Sequence, residues 1–157
     1  MTVTFFGHRN TPSDIKPLLK KVLRKLIENE GANMFYVGNE GAFDRMAYDT
    51  LIELKKEYPF IEYKVVLAYL QKRKKDIKNF SSSETVFPEE LTNTPLRFAI
   101  AKRNNIMLNL SDAAVCYVEK PGGGAADFKR LAEIKGKKVI NLYTLTSSFW
   151  NFDISRL

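Results

Sequence analysis

The sequence predicts an α/β fold in which helices cover both faces of a mostly parallel sheet of about five strands. Short apolar runs alternate along the chain with segments of helical periodicity, and loops that contain glycine follow three of those runs. Parallel strands need crossover connections, which helices usually supply. A chain of 157 residues that is 45% apolar can build the core of one such domain.

Three predicted strands and two predicted helices alternate in the amino-terminal half. The predicted strands are Val3–Phe6, Met34–Val37 and Tyr63–Ala68. Apolar side chains recur at helical spacing over residues 15–27, where Asp14 is placed to cap the helix and Pro17 falls in its first turn. Gly31 ends this helix, and residues 43–54 show the same periodicity after the second strand.

The pattern is interrupted and then resumes in the carboxy-terminal half. Residues 69–94 lack periodicity and are rich in Lys, Ser, Glu and Pro, which predicts an irregular excursion with a short strand at Thr85–Phe87. The elements predicted after it are a helix at Pro95–Leu110, a strand at Ala113–Val118, a helix at Ala125–Lys135 and a strand at Lys138–Leu142. The core candidates on the first of these helices are Leu96, Ile100, Met107 and Leu110.

This alternation is typical of a Rossmann-like three-layer α/β/α sandwich, and we expect residues 1–157 to form a single domain. The tail at residues 144–157 contains Phe149, Trp150 and Phe152, which is enough apolar surface to pack against the domain. In such sheets the ligand lies beyond the carboxyl ends of the strands, where the strand order reverses. We therefore expect the three glycine loops to converge on one crevice.

Composition excludes several classes of function. No segment approaches the roughly 20 apolar residues that span a bilayer, and the first residues do not resemble a signal peptide, so we expect a cytoplasmic protein without a membrane partner. With Cys116 the only cysteine and His8 the only histidine, we expect no internal disulfide or His/Cys zinc site, and a core position for Cys116. The net charge of +7 favours anionic partners such as nucleotides, nucleic acid or acidic proteins.

The segment from Lys120 to Asp127 gives the strongest functional signal. It has the sequence Lys-Pro-Gly-Gly-Gly-Ala-Ala-Asp, after an apolar run and before a helical pattern. Three successive glycines let the backbone approach an anion, and the free N–H groups of the following helix point at the same place. The segment predicts a phosphate-binding loop, with a tight strand-to-helix connection as the alternative.

Polar side chains in the other two loops are candidates for contact with the same ligand. Arg9 follows the first strand, and its planar guanidinium suits phosphate or carboxylate. His8 is either a proton donor or acceptor, or a structural hydrogen-bonding group. Asp44 either accepts from ribose hydroxyls or satisfies backbone N–H groups at the start of its helix. Glu40 is the other acidic residue placed to assist hydrolysis.

Several short motifs occur in a recognisable order along nearly the whole chain. They are Gly7-His8-Arg9, Gly38 to Asp44, Lys55 to Pro59, Arg103-Asn104, Ser111-Asp112 and Pro121 to Gly124. Together they resemble the SLOG superfamily, which includes the DNA-processing protein A domain and the Lonely Guy phosphoribohydrolases. They are most similar to the small YpsA-like proteins of bacteria and phages. The resemblance implies a Rossmann-like fold and a nucleotide-derived ligand.

One departure from this superfamily bears on chemistry. Lonely Guy enzymes carry a Pro-Gly-Gly-x-Gly-Thr-x-x-Glu pattern, whose Glu takes part in cleaving the base from a nucleoside monophosphate. In this chain Ala stands where the Thr is expected, and Lys129 stands where the Glu should fall. A phosphate cradle with poor acid and base groups favours binding over catalysis.

We therefore expect a module that binds a nucleotide or a nucleotide-derived small molecule, such as an ADP-ribose derivative, for sensing or sequestration. The alternatives are an N-glycosidic hydrolase or transferase acting on nucleotides, with Glu40 or Asp44 as the carboxylate and His8 assisting, and a binder of single-stranded nucleic acid. No metal or cofactor is expected, and the resemblance leaves room for a homo-oligomer. The candidate ligand-binding residues are Gly7, His8, Arg9, Gly38, Asn39, Gly41, Asp44, Arg103, Asn104, Lys120, Gly122, Gly123, Gly124 and Ala125.

Overall fold

A computed structural model describes residues 1–70 and 83–146 and confirms the predicted α/β fold. Its sheet has six strands, all parallel, in the order β4-β3-β2-β1-β5-β6. The strands are β1 (Thr2–Gly7), β2 (Met34–Val37), β3 (Glu62–Val66), β4 (Thr85–Val86), β5 (Ala113–Tyr117) and β6 (Lys138–Asn141). The sixth strand is β4, which arises from the short apolar run inside the predicted excursion.

Helices connect the strands and cover both faces of the sheet. They are α1 (Lys16–Glu30), α2 (Ala42–Glu57), α3 (Leu96–Asn109), α4 (Gly124–Ile134) and α5 (Leu142–Thr146). Short 3₁₀ turns at Ser13–Ile15 and Glu89–Leu91 precede α1 and α3. No helix in the two described ranges is long and apolar enough to cross a membrane.

The start of α1 differs from the prediction. Asp14 lies inside the 3₁₀ turn, and no side chain caps either this turn or the helix, so the predicted Asp14 cap is wrong. The turn itself leads directly into α1, with Ile15 as the residue that precedes it. Pro17 lies in the first turn as predicted, where a missing N–H costs nothing.

The two faces of the sheet carry cores of different size. The larger core joins α1, α2 and α5 to side chains such as Phe5, Phe35 and Val115. The smaller core lies under α3 and α4, where Phe6 and Cys116 point to the opposite face because side chains alternate along a strand. Burial raises the pKa of the Cys116 thiol to about 12, so this group is an apolar packing residue.

Helix α3 packs on the sheet through fewer apolar residues than predicted. Met107 is buried as expected, but Leu96 and Leu110 are 73% and 56% exposed, so their predicted core positions are wrong. The reason is that the side chains of Ala99 and Arg103 lie on the buried face of α3. The side chains of Leu96 and Leu110, at the two ends of the helix, therefore face outward. A buried arginine therefore occupies a place that helical periodicity assigned to apolar side chains.

Two predictions fall partly or wholly on residues that the structure does not describe. In the 69–94 excursion, Pro88 and Leu91 are buried and Thr85–Val86 pairs with β3, whereas residues 71–82 lie outside the described residues. The tail begins within α5, and the predicted packing of Phe149, Trp150 and Phe152 also lies outside them.

The strand order fixes where a ligand site is expected. The chain moves outward from β1 to β4 on one side and then crosses to β5 on the other, so the order reverses between β1 and β5. Crevices at such a reversal, beyond the carboxyl ends of the strands, are where open α/β sheets bind ligands. Three of the connections that leave the sheet at this edge contain the predicted glycines: the first loop (residues 8–12, after Gly7), the second loop (residues 38–41) and the third loop (residues 118–123).

Candidate functional site

The first loop is joined to the third by the side chain of His8. Its Nε2 atom accepts hydrogen bonds from the backbone N–H groups of Glu119, at 2.9 Å, and Lys120, at 3.2 Å. The backbone N–H of His8 also donates to the carbonyl of Tyr117 at 3.2 Å. Because Nε2 accepts, the ring carries its proton on Nδ1. This geometry matches the structural alternative for His8.

The first loop is also joined to the second. The backbone N–H of Ala42, the first residue of α2, donates to the carbonyl of Arg9 at 2.8 Å. Gly41 has a φ of 91°, and a Cβ there would lie 2.9 Å from the Cα of Arg9, so only glycine fits. The amino end of α2 is thus closed by the protein's own carbonyl group.

Gly38 is required because two charged side chains pass directly over it. A Cβ at this position would clash with the carboxylate of Asp44 and would lie 2.5 Å from Nη1 of Arg103. Asp44 and Arg103 form an ion pair at 3.6 Å, with both side chains almost fully buried. The glycine of the second loop therefore serves this buried pair.

The buried pair holds the second loop to its neighbours. Arg103 donates to Oδ1 of Asn39 at 3.2 Å and to Oδ1 of Asn104 at 3.0 Å, and Asp44 accepts from the backbone N–H of Glu40 at 2.9 Å. Burial raises the pKa of Asp44, while Arg103 and that N–H group act in the opposite direction. These contacts favour the backbone-satisfying alternative for Asp44 and give Arg103 a buried polar role.

Glu40 lies at the mouth of the crevice with two polar neighbours. Its carboxylate accepts a hydrogen bond from the hydroxyl of Tyr69 at 3.0 Å and lies 3.9 Å from Nη2 of Arg9. The Arg9 side chain is 76% exposed, against 20% for Glu40. Arg9 is therefore available to an incoming anion, whereas Glu40 is largely held in place.

The third loop and the amino end of α4 are open. Nothing lies within 4 Å of a Cβ built at Gly122, Gly123 or Gly124, and all three residues are exposed. The N–H groups of Gly124, Ala125 and Ala126 find no acceptor in the described part of the chain. Lys120 lies beside them, exposed.

The amino ends of α2 and α4 have the same backbone conformation but differ in whether their first N–H group has an acceptor. Gly41 precedes α2 with φ 91° and ψ 177°, and Gly123 precedes α4 with φ 92° and ψ 174°. At α2 the first N–H is used by Arg9, whereas at α4 it faces outward. Of these two similar turns, the one before α4 leaves its first N–H without an acceptor in the described part of the chain.

Asn141 and Tyr69 are residues of this edge that sequence reasoning missed. The amide of Asn141 accepts from the N–H of Val118 and donates to its carbonyl, both at 2.9 Å, which anchors the base of the third loop. A polar residue within the apolar run of β6 was the available signal for Asn141. Tyr69 gave no local signal, because its contact with Glu40 spans 29 residues.

The predicted site residues thus fall into two groups around the carboxyl edge. The second-loop group with Arg103 and Asn104 is buried or half-buried and internally bonded, whereas Arg9, Lys120 and the three glycines are exposed. His8 belongs to the first loop and is bonded to the third. No cluster of three or more His, Cys, Asp or Glu residues that suits a metal ion occurs within the ranges 1–70 and 83–146.

Comparison with known proteins agrees with the fold described above. A family model described as the YspA SLOG family (YpsA) matches residues 3–148. The chain belongs to this SLOG family. A UPF0398 protein of Brevibacillus brevis is 25% identical to this chain over 135 residues. The match covers 81% of this chain and 70% of the relative. The superfamily assignment and the similarity to YpsA-like proteins are both confirmed.

Solved structures with the same fold include two DNA-processing proteins. DNA processing protein A of Helicobacter pylori, described for its single-stranded DNA binding mode, superposes with a TM-score of 0.68 at 16% identity over 99% of this chain and 77% of that chain. DNA processing protein A of Streptococcus pneumoniae gives a TM-score of 0.56 at 13% identity, covering 98% of this chain and 62% of that one. At these identities the likeness shows the SLOG fold alone.

Proposed function

We propose that this SLOG protein binds a nucleotide or a nucleotide-derived small molecule, such as an ADP-ribose derivative, as a sensing or sequestering module. The ligand's phosphate lies on the third loop, against the first turn of α4. The observation that carries the proposal is the contrast between the closed amino end of α2 and the open amino end of α4. Exposed N–H groups at a helix start attract anions through hydrogen bonding and the helix dipole.

The charges around the third loop support the same ligand. Lys120 belongs to the loop, and the exposed guanidinium of Arg9 lies on the neighbouring first loop, which His8 ties to the third. Both cations have freedom to turn toward a phosphate. Arginine adds a planar pair of donors that matches phosphate oxygens.

A ligand screen by thermal unfolding tests the proposal. We expect AMP, ADP-ribose or a related nucleotide to raise the melting temperature, because a ligand at 100 times its dissociation constant adds about 2.7 kcal/mol to stability. Gly124→Val should abolish the effect, since its side chain occupies the open space of the cradle without a positive φ. Gly123→Val is less suitable because φ at that residue is 92°.

The control is Ala101→Val, which adds the same kind of side-chain volume at an exposed position of α3. It should leave both stability and ligand response unchanged. Normal nucleotide binding by Gly124→Val would mean that the third loop is only a connection, and the proposal would be withdrawn.

Single-stranded nucleic acid is the second candidate ligand. It is favoured by the fold shared with a DNA-processing protein named for single-stranded DNA binding, by the net charge of +7, and by a half-exposed Phe98 with Arg97 over its ring at 4.6 Å. Bases stack on such aromatic side chains, and cations hold the backbone.

Fluorescence anisotropy with a labelled oligothymidine tests this candidate. Binding should weaken steeply as salt rises, because counterions are released from the phosphates, and Phe98→Ala should weaken it further. Phe60→Ala is the control, since Phe60 is exposed after the carboxyl end of α2, away from the loops. Equal affinities for Phe98→Ala and Phe60→Ala would remove Phe98 from the interface.

A further inference from the structure

A cavity lies beyond the carboxyl ends of β5 and β6, on the side of the third loop that faces away from β1. It has a volume of about 360 Å³, within the range of small-molecule sites. One wall is the third loop from Val118 to Pro121, and the opposite wall is the junction of β6 and α5 at Tyr143 and Thr144. We call it the β5–β6 cleft.

One face of helix α4 forms a charged wall of the β5–β6 cleft, and Glu119 of the third loop also lines the cleft. Ala126, Lys129, Arg130 and Glu133 recur at helical spacing along this face. Ala126 belongs to the first turn, so the cleft begins at the proposed phosphate position and extends along the helix toward β6. The cleft and the phosphate cradle are parts of one continuous surface.

The cations of the cleft can accept a further anionic group. Lys129 pairs with Glu133 at 2.6 Å and Arg130 with Asp127 at 3.3 Å, all within α4 and partly or largely exposed. Exposed pairs of this kind contribute little to stability, so each cation can exchange its carboxylate for a phosphate oxygen at low cost. Lys120, at the junction with the cradle, has no ion pair within the described residues.

The opposite side of the cradle offers less room. There the first loop is bonded to the second through Arg9 and Ala42 and to the third through His8. A ligand larger than one phosphate therefore extends more easily into the β5–β6 cleft. We infer that this cleft takes the second phosphate and the attached sugar of a nucleoside diphosphate derivative whose first phosphate lies on the third loop.

This inference rests on the proposed function and predicts a preference between two probes. Calorimetric titration should show that ADP-ribose binds at least tenfold more tightly than AMP. The double variant Lys129→Met and Arg130→Met should lose that preference, with AMP affinity changed less than twofold. The matched control is Lys135→Met with Lys137→Met, which removes two cations at the other end of α4, outside the cleft.

The outcomes separate the two proposals. If AMP and ADP-ribose bind equally, and Gly124→Val abolishes both, the cradle stands and the role of the β5–β6 cleft is overturned. If neither probe binds the wild-type chain, both proposals fail. Should the double variant unfold, the single variant Arg130→Met, whose side chain is 63% exposed, provides the second test and must also reduce the preference for ADP-ribose.

Discussion

The polar residues at this edge of the sheet differ in how many of their polar atoms are already bonded within the protein. The comparison concerns His8, Arg9 and Arg103. Both principal contacts of His8 Nε2 are backbone N–H groups, and Arg103 is bonded on all sides, whereas Arg9 is exposed. We therefore select Arg9 as a candidate ligand contact because its side chain is exposed, and not because of its residue type. Predictions at this scale concern single substitutions.

Arg9→Ala should weaken the binding of a phosphate-bearing ligand by roughly 1.5–3 kcal/mol, the range for a hydrogen bond to a charged group. Stability should hardly change, because the Arg9 side chain is exposed and its ion pair with Glu40 is long. Titration calorimetry and thermal unfolding measure the two effects. Lys56→Ala, which removes an exposed cation near the other end of α2, should change neither. A loss of stability without a loss of affinity would make Arg9 a structural residue.

His8→Phe should reduce the free energy of unfolding by about 1–3 kcal/mol, because two backbone bonds each worth about 0.5–1.5 kcal/mol lose their acceptor. It should also weaken ligand binding, since the third loop loses its link to the first. Urea unfolding and calorimetry provide the measurements. His8→Gln keeps an acceptor and should recover much of both properties. Identical behaviour of the two variants would show that the acceptor is unimportant.

At the scale of secondary-structure elements, charged contacts hold pairs of elements together. The buried pair of Asp44 and Arg103 joins α2 to α3, and Arg103 reaches the end of β3 through the carbonyl of Val66. On the outer surface, Lys16, Lys20 and Arg24 of α1 face Glu53 and Glu57 of α2. The two sets differ in burial, so they should respond differently to substitution.

Arg103→Met should cost about 3–5 kcal/mol of stability, because it leaves the carboxylate of Asp44 buried without its partner. Chemical denaturation measures the loss, and Lys102→Met, the exposed neighbour on α3, serves as the control. A stable Arg103→Met protein that no longer binds nucleotide would instead assign Arg103 a direct contact with the ligand. The sequence alone left that role open.

The contact between α1 and α2 should depend on pH through Glu53. Hydrogen bonds from Lys16 and Lys20 lower the pKa of Glu53 from 4.5 to about 2. Because the folded state holds the ionised form, this stabilisation is present above pH 4.5 and is lost as pH falls toward 2. Glu53→Gln should therefore lower stability at neutral pH, and the difference from wild type should vanish across that interval. Glu62→Gln, on an exposed residue of β3 outside the contact between α1 and α2, is the matched control.

At the scale of the whole molecule, the strand order brings the candidate binding groups to one edge, where each candidate catalytic group has a partner within the protein. Glu40 is held by Tyr69, Asp44 by Arg103, and His8 by the third loop. Lys129 stands where related phosphoribohydrolases carry a carboxylate. We therefore expect binding and not cleavage of a glycosidic bond.

Incubation with nucleoside monophosphates or NAD should leave these compounds intact, because an oxocarbenium-like transition state requires positioned acid and carboxylate groups. Chromatography of the products measures this directly. Glu40→Gln should then alter affinity modestly at most. Free base released in proportion to protein concentration, and absent with Glu40→Gln, would establish an enzyme in place of a binding module.

The sequence by itself determined the alternation of strands and helices, the apolar faces of α1 and α2, and the placement of three glycine loops after strands. These features depend on neighbours within a few residues, which is why periodicity and turn residues predict them. The same local information placed Leu96 and Leu110 in the core, and there it was wrong. The same helix turns Arg103 inward, and apolar periodicity does not register a buried arginine.

Only the tertiary structure decided which glycine loop is open. The second and third loops both end in a glycine, and the two glycines have the same backbone conformation before their helices. What distinguishes them is a carbonyl from residue 9 bonded to residue 42, and a histidine bonded to a loop 111 residues away. The β5–β6 cleft likewise exists only where α4 faces the end of β6. Such contacts join residues far apart in the chain, so no local pattern encodes them.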